Sequence, residues 1–322
     1  MKPSIFITGG CGYLGTRLAS RYLEMGHDVV AFDLAKSPYL PQKAVFVKGD
    51  VRDLPGMTAA SKGAGIFHHL VGIMPQARAG RDLMRAINVE GTENALKAAS
   101  ANGIKRFVYL SSSEVYGAPE TMPMKEEHPK NPIGEYGRNK VETEALCIKY
   151  MKEKGLETVM IRPSTLVGAE ITERMFLRLM GMLAKNAPLT YPGKGNTRFQ
   201  MTAVSDCVEA CILAGEKPGV AGEAFNIAAE NTPTWLDLAK EIKRRTGNES
   251  RLISIPVWLV KGILSFLDLF GASPLEKDHF MLMDRDIVMD CSKAKKLLGW
   301  TPKKSDIDMV IETYEWFVKT HR

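Results

Sequence analysis

The strongest constraint on this chain is the alternation of short apolar runs with helical patterns through its first half. The runs are Ser4–Thr8, Asp28–Asp33, Ala44–Lys48, Ala64–Leu70, Arg106–Ser111 and Thr158–Arg162, and helical patterns lie at Tyr13–Met25, Arg81–Ala101 and Tyr136–Lys154. Strands separated by helices run parallel, and strands that are apolar nearly throughout are covered on both faces. The expected fold is therefore α/β, a doubly wound parallel sheet with helices on both sides. After about Pro163 the pattern changes. Turn-rich segments at Tyr191–Asn196 and Lys217–Gly222 separate short helices and strands, and Ile307–Lys319 reads as a closing helix. This half predicts a smaller α+β substrate-binding lobe over the carboxyl edge of the sheet, where such folds bind ligands. The division falls at residues 1–163 and 164–322, with the two parts interleaved and the boundary approximate.

Thr8-Gly9-Gly10-Cys11-Gly12-Tyr13-Leu14-Gly15 follows the first strand and opens the first helix. Gly10, Gly12 and Gly15 fit the spacing of a dinucleotide-binding turn; Gly9, Gly12 and Gly15 fit its three-residue variant. Glycine lets the backbone approach a pyrophosphate, and the helix start supplies amide donors and a favourable dipole. A glycine cluster alone is also a tight turn. Here Asp33 ends the second strand, about 20 residues on as the Rossmann motif requires. A carboxylate there accepts from both ribose hydroxyls of NAD and repels the 2′-phosphate of NADP, a preference that nearby Lys36 softens. Asp50 and Val51, after the third strand, are placed to bracket the adenine.

Tyr136 and Lys140 are four residues apart, on one face of a helix. A free tyrosine, with a pKa near ~10, is a poor base at neutral pH, and a neighbouring ammonium lowers that value. Ser111-Ser112-Ser113 ends the fifth strand, where a hydroxyl reaches a reacting oxygen. Each of these signals recurs by chance. Glycines, acid, serine and tyrosine–lysine in this order, on these elements, are far more specific together.

Composition excludes several classes. Hydrophobic residues make up 45% and charged residues 25% of 322, ordinary for a globular protein. The net charge of +6 is too small and scattered to argue for nucleic acid. Five cysteines, with no CxxC pair, suggest reduced thiols in a cytoplasmic protein and no metal site; Cys207 and Cys211 read as two core thiols. No signal-peptide pattern precedes Ser4-Ile5-Phe6-Ile7. Ile255–Gly271 is short for a membrane span and interrupted by Lys261 and Asp268. It reads as an amphipathic helix over a core or cleft, with membrane-surface contact as the lesser option.

With these residues in place, the chain resembles the extended short-chain dehydrogenase/reductases, the NAD-dependent epimerase/dehydratase family, over nearly its whole length. Further echoes are Asn88-Val89-Glu90-Gly91-Thr92, Val115-Tyr116-Gly117, Arg162-Pro163, Phe225-Asn226-Ile227, and Asp290-Cys291-Ser292-Lys293-Ala294 ahead of Leu298-Gly299-Trp300-Thr301-Pro302. The resemblance implies Ser112, Tyr136 and Lys140 as the catalytic set, NAD as cofactor, and Leu70, Val71, Gly72 and Pro163 at its nicotinamide end. It also implies a homodimer through the helices near Arg81–Ala101 and Tyr136–Lys154, with Val141, Ala145 and Ile148 candidates for that interface.

Which reaction is implied turns on departures from the family. Ser113-Glu114 replaces the Asp–Glu pair of dehydratase members, so dehydration is disfavoured. Ser164-Thr165 stands where nucleotide-sugar members usually carry an asparagine, and Ile255-Pro256-Val257-Trp258 with its apolar helix resembles 3β-hydroxysteroid and sterol dehydrogenases. Glu135 to Glu142 instead resembles the sugar 4-epimerases, and Arg198 or Arg285 stands where a phosphate-binding arginine is expected. Ser113, Glu114, Thr165, Arg198 and Arg285 are thus the candidate substrate residues. The substrate is a nucleotide sugar on the first reading and an apolar alcohol on the second. A non-catalytic NAD-binding regulator ranks third, because Tyr136 and Lys140 are both present.

Overall fold

Six strands of the first half, β1 (Ser4–Thr8), β2 (Val29–Asp33), β3 (Val45–Lys48), β4 (Ala64–His69), β5 (Arg106–Leu110) and β6 (Glu157–Pro163), fall within two residues of the apolar runs. They come from a computed structural model that describes residues 2–74, 80–270, 273 and 280–321. The second half adds β7 (Thr165–Val167), β8 (Leu189–Pro192), β9 (Met201–Ala203), β10 (Ala224–Ile227) and β11 (Leu252–Ile255). The main sheet is parallel, in the order β3-β2-β1-β4-β5-β6-β10. This is a doubly wound Rossmann sheet whose strand order reverses between β1 and β4.

Strand alternation divides the core in two. Ile5 and Ile7 point to α1 (Tyr13–Glu24) and to a helix from the second half, α7 (Val204–Glu216). Phe6, Phe32, Phe67 and Phe107 point to α2 (Leu54–Ala60), α4 (Gly91–Ala101) and α5 (Glu135–Lys154). The period-2 geometry of a strand makes this split unavoidable once both faces are apolar. A third cluster joins α6 (Arg174–Ala184), α8 (Trp235–Thr246) and α10 (Asp306–Thr320) through Phe176, Met180, Leu238, Ile242 and Met309. Because α7 and β10 return to the main sheet, the two halves of the sequence are interwoven. Cys207 and Cys211 are both buried in the α7 side of the core.

Two sequence expectations need correction. The helical pattern Arg81–Ala101 is a continuous helix but not a regular one: α3 (Arg81–Arg85) and α4 are joined through a wide π turn at Ala86–Glu90. The turn presents Asn88, whose side chain clamps the Ile73 backbone, accepting from its N–H at 2.7 Å and donating to its C=O at 2.9 Å. Second, α9 (Val257–Leu269) does not lie apolar side down over a core or cleft. Only Leu264 is buried, while Lys261 is held by Asp284 at 2.7 Å. Val141, Ala145 and Ile148 line a surface cleft of about 490 Å³ beside Met160 and Ala224, at the β6–β10 edge of the sheet. Among the described residues no helix is long and apolar enough to cross a membrane.

A buried polar network fastens α5 to the sheet. The Glu144 carboxylate is 1% exposed and receives Arg162 Nε at 2.7 Å, Arg162 Nη2 at 2.8 Å, Lys130 Nζ at 2.7 Å and the Ser111 hydroxyl at 2.6 Å. Arg162 Nη1 donates to Tyr116 Oη, which donates to Asn226 Oδ1. The Asn226 amide donates to Glu126, and its side chain to the carbonyls of Met124 and Asp290. Burial works against the Glu144 charge, but hydrogen bonds and charge from Arg162, with Lys130, hold its carboxyl below the usual range. Arg162→Met leaves this buried carboxylate with Lys130 as its one cation and the Ser111 hydroxyl. We expect a loss of about 3–5 kcal/mol in urea unfolding, the cost typical of breaking a buried pair. A loss below about 1 kcal/mol, the worth of an exposed pair, would show that the network does not carry the fold.

Candidate active site at the sheet switch point

The turns after β1 and β4 face each other where the strand order reverses. Gly9 takes φ +71°, a left-handed conformation open to glycine, and its C=O receives the Gly12 amide at 3.0 Å. A side chain at Gly15 would put its Cβ 2.1 Å from the Gly9 oxygen, so the helix closes on the loop only with glycine there. Gly12 is the N-cap of α1 and no side chain caps the helix. The amides of Tyr13, Leu14 and Gly15 belong to the first turn and have no intrahelical acceptor. Leu14 is anchored in the core, and Tyr13 donates to the Ala169 carbonyl at 3.2 Å. These groups offer the amide donors and the close backbone approach that a pyrophosphate requires.

Asp33, ending β2, fixes the same loop. One carboxylate oxygen accepts from Cys11 N–H at 3.0 Å and the other from Leu34 N–H at 2.7 Å. Each keeps a lone pair for a ribose hydroxyl. Asp50 is engaged differently: hydrogen bonds from Arg52, as close as 2.5 Å, hold its carboxyl below the usual range. Val51 is buried, and its carbonyl accepts from Asn94 Nδ2 at 3.2 Å. A dinucleotide fits this set, since phosphate donors, a ribose acceptor and a glycine-walled floor follow one another along β1 and β2.

The β4 turn brings in the reactive end. Leu70 N–H donates to the Thr8 carbonyl at 3.1 Å, and Val71 N lies 3.2 Å from where a Gly9 Cβ would be. A Cβ on Gly72 would lie 3.5 Å from Lys140 Nζ and 4.0 Å from the Tyr136 ring. Beneath the turn, His69 is fully buried between the Thr8 and Thr92 hydroxyls, at 2.7 and 3.0 Å. Burial, reinforced by the Lys140 charge, drops its pKa to about 3, so the ring is neutral at physiological pH.

Tyr136 lies in the first turn of α5, which approaches the turn after β5 so closely that a Cβ at Gly137 would meet the Glu114 carbonyl at 2.6 Å. Ser111 is spent on Glu144 and is 2% exposed. Ser112 caps the short turn Ser113–Val115, its oxygen accepting from Glu114 N–H at 3.2 Å while its proton stays available. Lys140 Nζ donates to the Leu110 carbonyl at 2.6 Å and lies 5.4 Å from the Tyr136 ring centre. Burial pulls the Lys140 pKa down to about 8, against the opposing pull of Glu144. The Tyr136 phenol shifts upward, first by burial and then by the Glu114 charge. The sequence argument that Lys140 lowers the Tyr136 pKa therefore does not hold in this state. The ammonium is turned to a backbone carbonyl, and burial dominates.

On the lobe side, Pro163 ends β6 buried beside Ile227, and Thr165 pairs with Met201 across β7 and β9. Arg198 and Arg285 are exposed, with no ion pair among the described residues. Their segments are joined where Arg198 N–H donates to Asp286 at 2.8 Å and Ile287 N–H to the Arg198 carbonyl at 2.8 Å. Sequence reasoning did not assign Asn88, His69 or Glu144. Asn88 sits within the quoted Asn88–Thr92 run, which signals it; nothing in the local sequence marks Glu144 as the partner of Arg162.

Three outcomes follow from this geometry. Tyr136→Phe keeps the ring's packing and removes only the phenol, so fold and NAD affinity should persist while turnover falls by about 10²–10⁴. Lys140→Met should weaken both NAD affinity and rate and, with NAD bound, move the rising limb of the pH–rate profile to higher pH. Near-full turnover in Tyr136→Phe would rule the phenol out as acid/base, and Glu114 would be the next group to test. Calorimetric titration should also show NAD binding more tightly than NADP, with Asp33→Ala narrowing the gap. Tighter NADP in the unmodified protein would overturn the role of Asp33.

Comparison with known proteins finds relatives along nearly the whole length of this chain. An uncharacterized Sinorhizobium fredii protein, y4nG, is 33% identical over 311 residues, covering 97% of this chain and 78% of that one. The Mycobacterium tuberculosis 3 beta-hydroxysteroid dehydrogenase/Delta 5-->4-isomerase is 28% identical, covering 98% and 90% of the two chains. The crystal structure of UDP-glucose 4-epimerase from Thermotoga maritima with UDP-glucose superposes with a TM-score of 0.84 at 24% identity, covering 99% of this chain and 100% of that chain. Residues 5–228 match the NAD dependent epimerase/dehydratase family, which spans the glycine loop, Asp33 and the tyrosine–lysine pair, and the chain belongs to that family.

Proposed function

We propose that the protein is an NAD-dependent 4-epimerase of a nucleotide sugar. The observation that carries this reading is the joining of the Arg198 and Arg285 segments, which sets two exposed guanidiniums, without ion pairs among the described residues, on adjacent strands of chain in the lobe. The Arg198 segment runs on to Met201, which pairs with Thr165, two residues beyond Pro163 at the carboxyl edge. Guanidiniums there suit the pyrophosphate of a nucleotide sugar, since arginine matches phosphate geometry with paired donors.

On this reading Tyr136 takes the proton of the sugar hydroxyl as its carbon is oxidised and returns a proton on reduction. Ser112 donates to the same oxygen, and Ser113, Glu114 and Thr165 border the sugar. Gly9–Gly15, Asp33, Asp50 and Val51 would hold NAD, which would supply the hydride chemistry. Lys140 binds the nicotinamide ribose, with Leu70–Gly72 and Pro163 closing that end. Ser113-Glu114 lacks the acid pair of the dehydratases, so hydroxyl elimination is disfavoured. A dehydrogenase of an apolar alcohol is the second reading, favoured by the apolar helix α9.

Differential scanning fluorimetry with nucleotide sugars and sterols separates the readings, because a ligand at 100 times its Kd adds about 2.7 kcal/mol of stability. A nucleotide sugar should stabilise the protein and be converted to its 4-epimer without added cofactor. Arg198→Ala should raise KM about tenfold or more, the order of one charged hydrogen bond, with kcat little changed. Stabilisation by a sterol and not by any nucleotide sugar, with turnover dependent on added NAD, would overturn the epimerase reading.

A further inference from the structure

The solvent side of α9 is apolar. On a helix of about 100° per residue, Trp258, Leu259, Gly262, Ile263, Phe266, Leu269 and Phe270 fall in one arc of about 140°. Trp258 is 75% exposed, Phe266 62%, Leu269 81% and Phe270 72%. No charge interrupts the arc; Lys261 and Asp268 lie outside it, and Lys261 is held at the flank by Asp284. Exposed aromatics and leucine on one contiguous face mark a contact surface, not ordinary scatter. The helix sits at the end of the two-stranded β8–β11 sheet, where Val257 packs against Gly193. An exposed cation without an ion pair among the described residues lies at the same end of that unit, Lys194 next to Gly193.

We propose that the outer face of α9 docks the protein onto an anionic lipid surface, with the helix lying in the plane of the interface. A single convex helix with Trp, Phe and Leu outward and lysine at its flank fits a bilayer boundary. Lysine there keeps its head in the wet layer while its stem lies on apolar surface. A symmetric contact between two copies fits less well. Thirteen residues make a helix about 20 Å long, and an apolar stripe of that length falls well short of the roughly 800 Å² per partner of a stable interface. Such a contact would also bring Lys194 toward its own copy.

The test is sedimentation of the full-length protein with vesicles of phosphatidylcholine alone or with about a third phosphatidylglycerol. Binding is expected to the anionic vesicles, to weaken in high salt, and to be accompanied by a blue shift of Trp258 emission. Phe266→Glu and Leu269→Glu, both at exposed positions, should each weaken partitioning about tenfold, the order of one unburied apolar side chain. Thermal unfolding and NAD affinity, unchanged in these variants, show that the fold is intact. If the protein binds neither vesicle, the proposal fails. It fails equally if these substitutions leave vesicle binding intact, or if they instead lower the mass by light scattering, which would make α9 a protein contact.

Discussion

The Glu144–Arg162 pair is the constraint on which the rest of this structure depends. A carboxylate 1% exposed and a guanidinium 3% exposed have no water to solvate them, so each must find its partners within the protein. They do so across three elements: Glu144 on α5, Arg162 on β6 and Ser111 at the end of β5. Since Tyr136 and Lys140 share α5 with Glu144, this pair sets where the tyrosine–lysine face sits over the sheet. Through Tyr116 and Asn226 the same charges reach β10 and the Asp290 segment. Five short runs scattered over the sequence are thus neighbours, each satisfying part of one buried network.

The site itself is arranged by what each polar group has already spent. Ser111 is consumed by Glu144, leaving Ser112, whose oxygen caps a turn and whose proton remains free to donate. Asp33 both ties the glycine loop and presents its remaining lone pairs outward. Lys140 rests on a backbone carbonyl with its pKa drawn down to about 8 by burial, a lysine whose charge responds readily to its surroundings. The neutral His69 and the Asn88 clamp hold the β4 turn that faces these groups. The environment around Tyr136 favours the neutral phenol until another positive charge joins it.

Away from the switch point the lobe carries features the reaction does not use. The lobe core closes around Phe176, Met180, Leu238 and Met309, yet α9 contributes one buried residue and shows the rest of its apolar surface to solvent. A helix of that composition lowers its free energy by finding an apolar boundary, and the exposed Lys194 beside it favours an anionic one.

The sequence by itself determined the sheet. Apolar runs with both faces buried and helices between them permit little but a parallel, doubly wound fold, and the six strands of the first half lie close to those runs. The glycine loop and Asp33 were legible for a similar reason, since their demands are local: a left-handed turn, a close helix approach, an acid one strand away. What only the tertiary structure decided is which groups meet across long separations. The return of α7 and β10 to the sheet, the pairing of Glu144 with Arg162 and the π turn within the Arg81–Ala101 helix all follow from contacts between segments far apart in the chain. The direction of the Tyr136 shift belongs here too, because spacing places an ammonium one turn away but burial and Glu114 set the energy. So does the outward face of α9, where periodicity reveals an apolar stripe but only packing shows which side of the helix the rest of the protein covers.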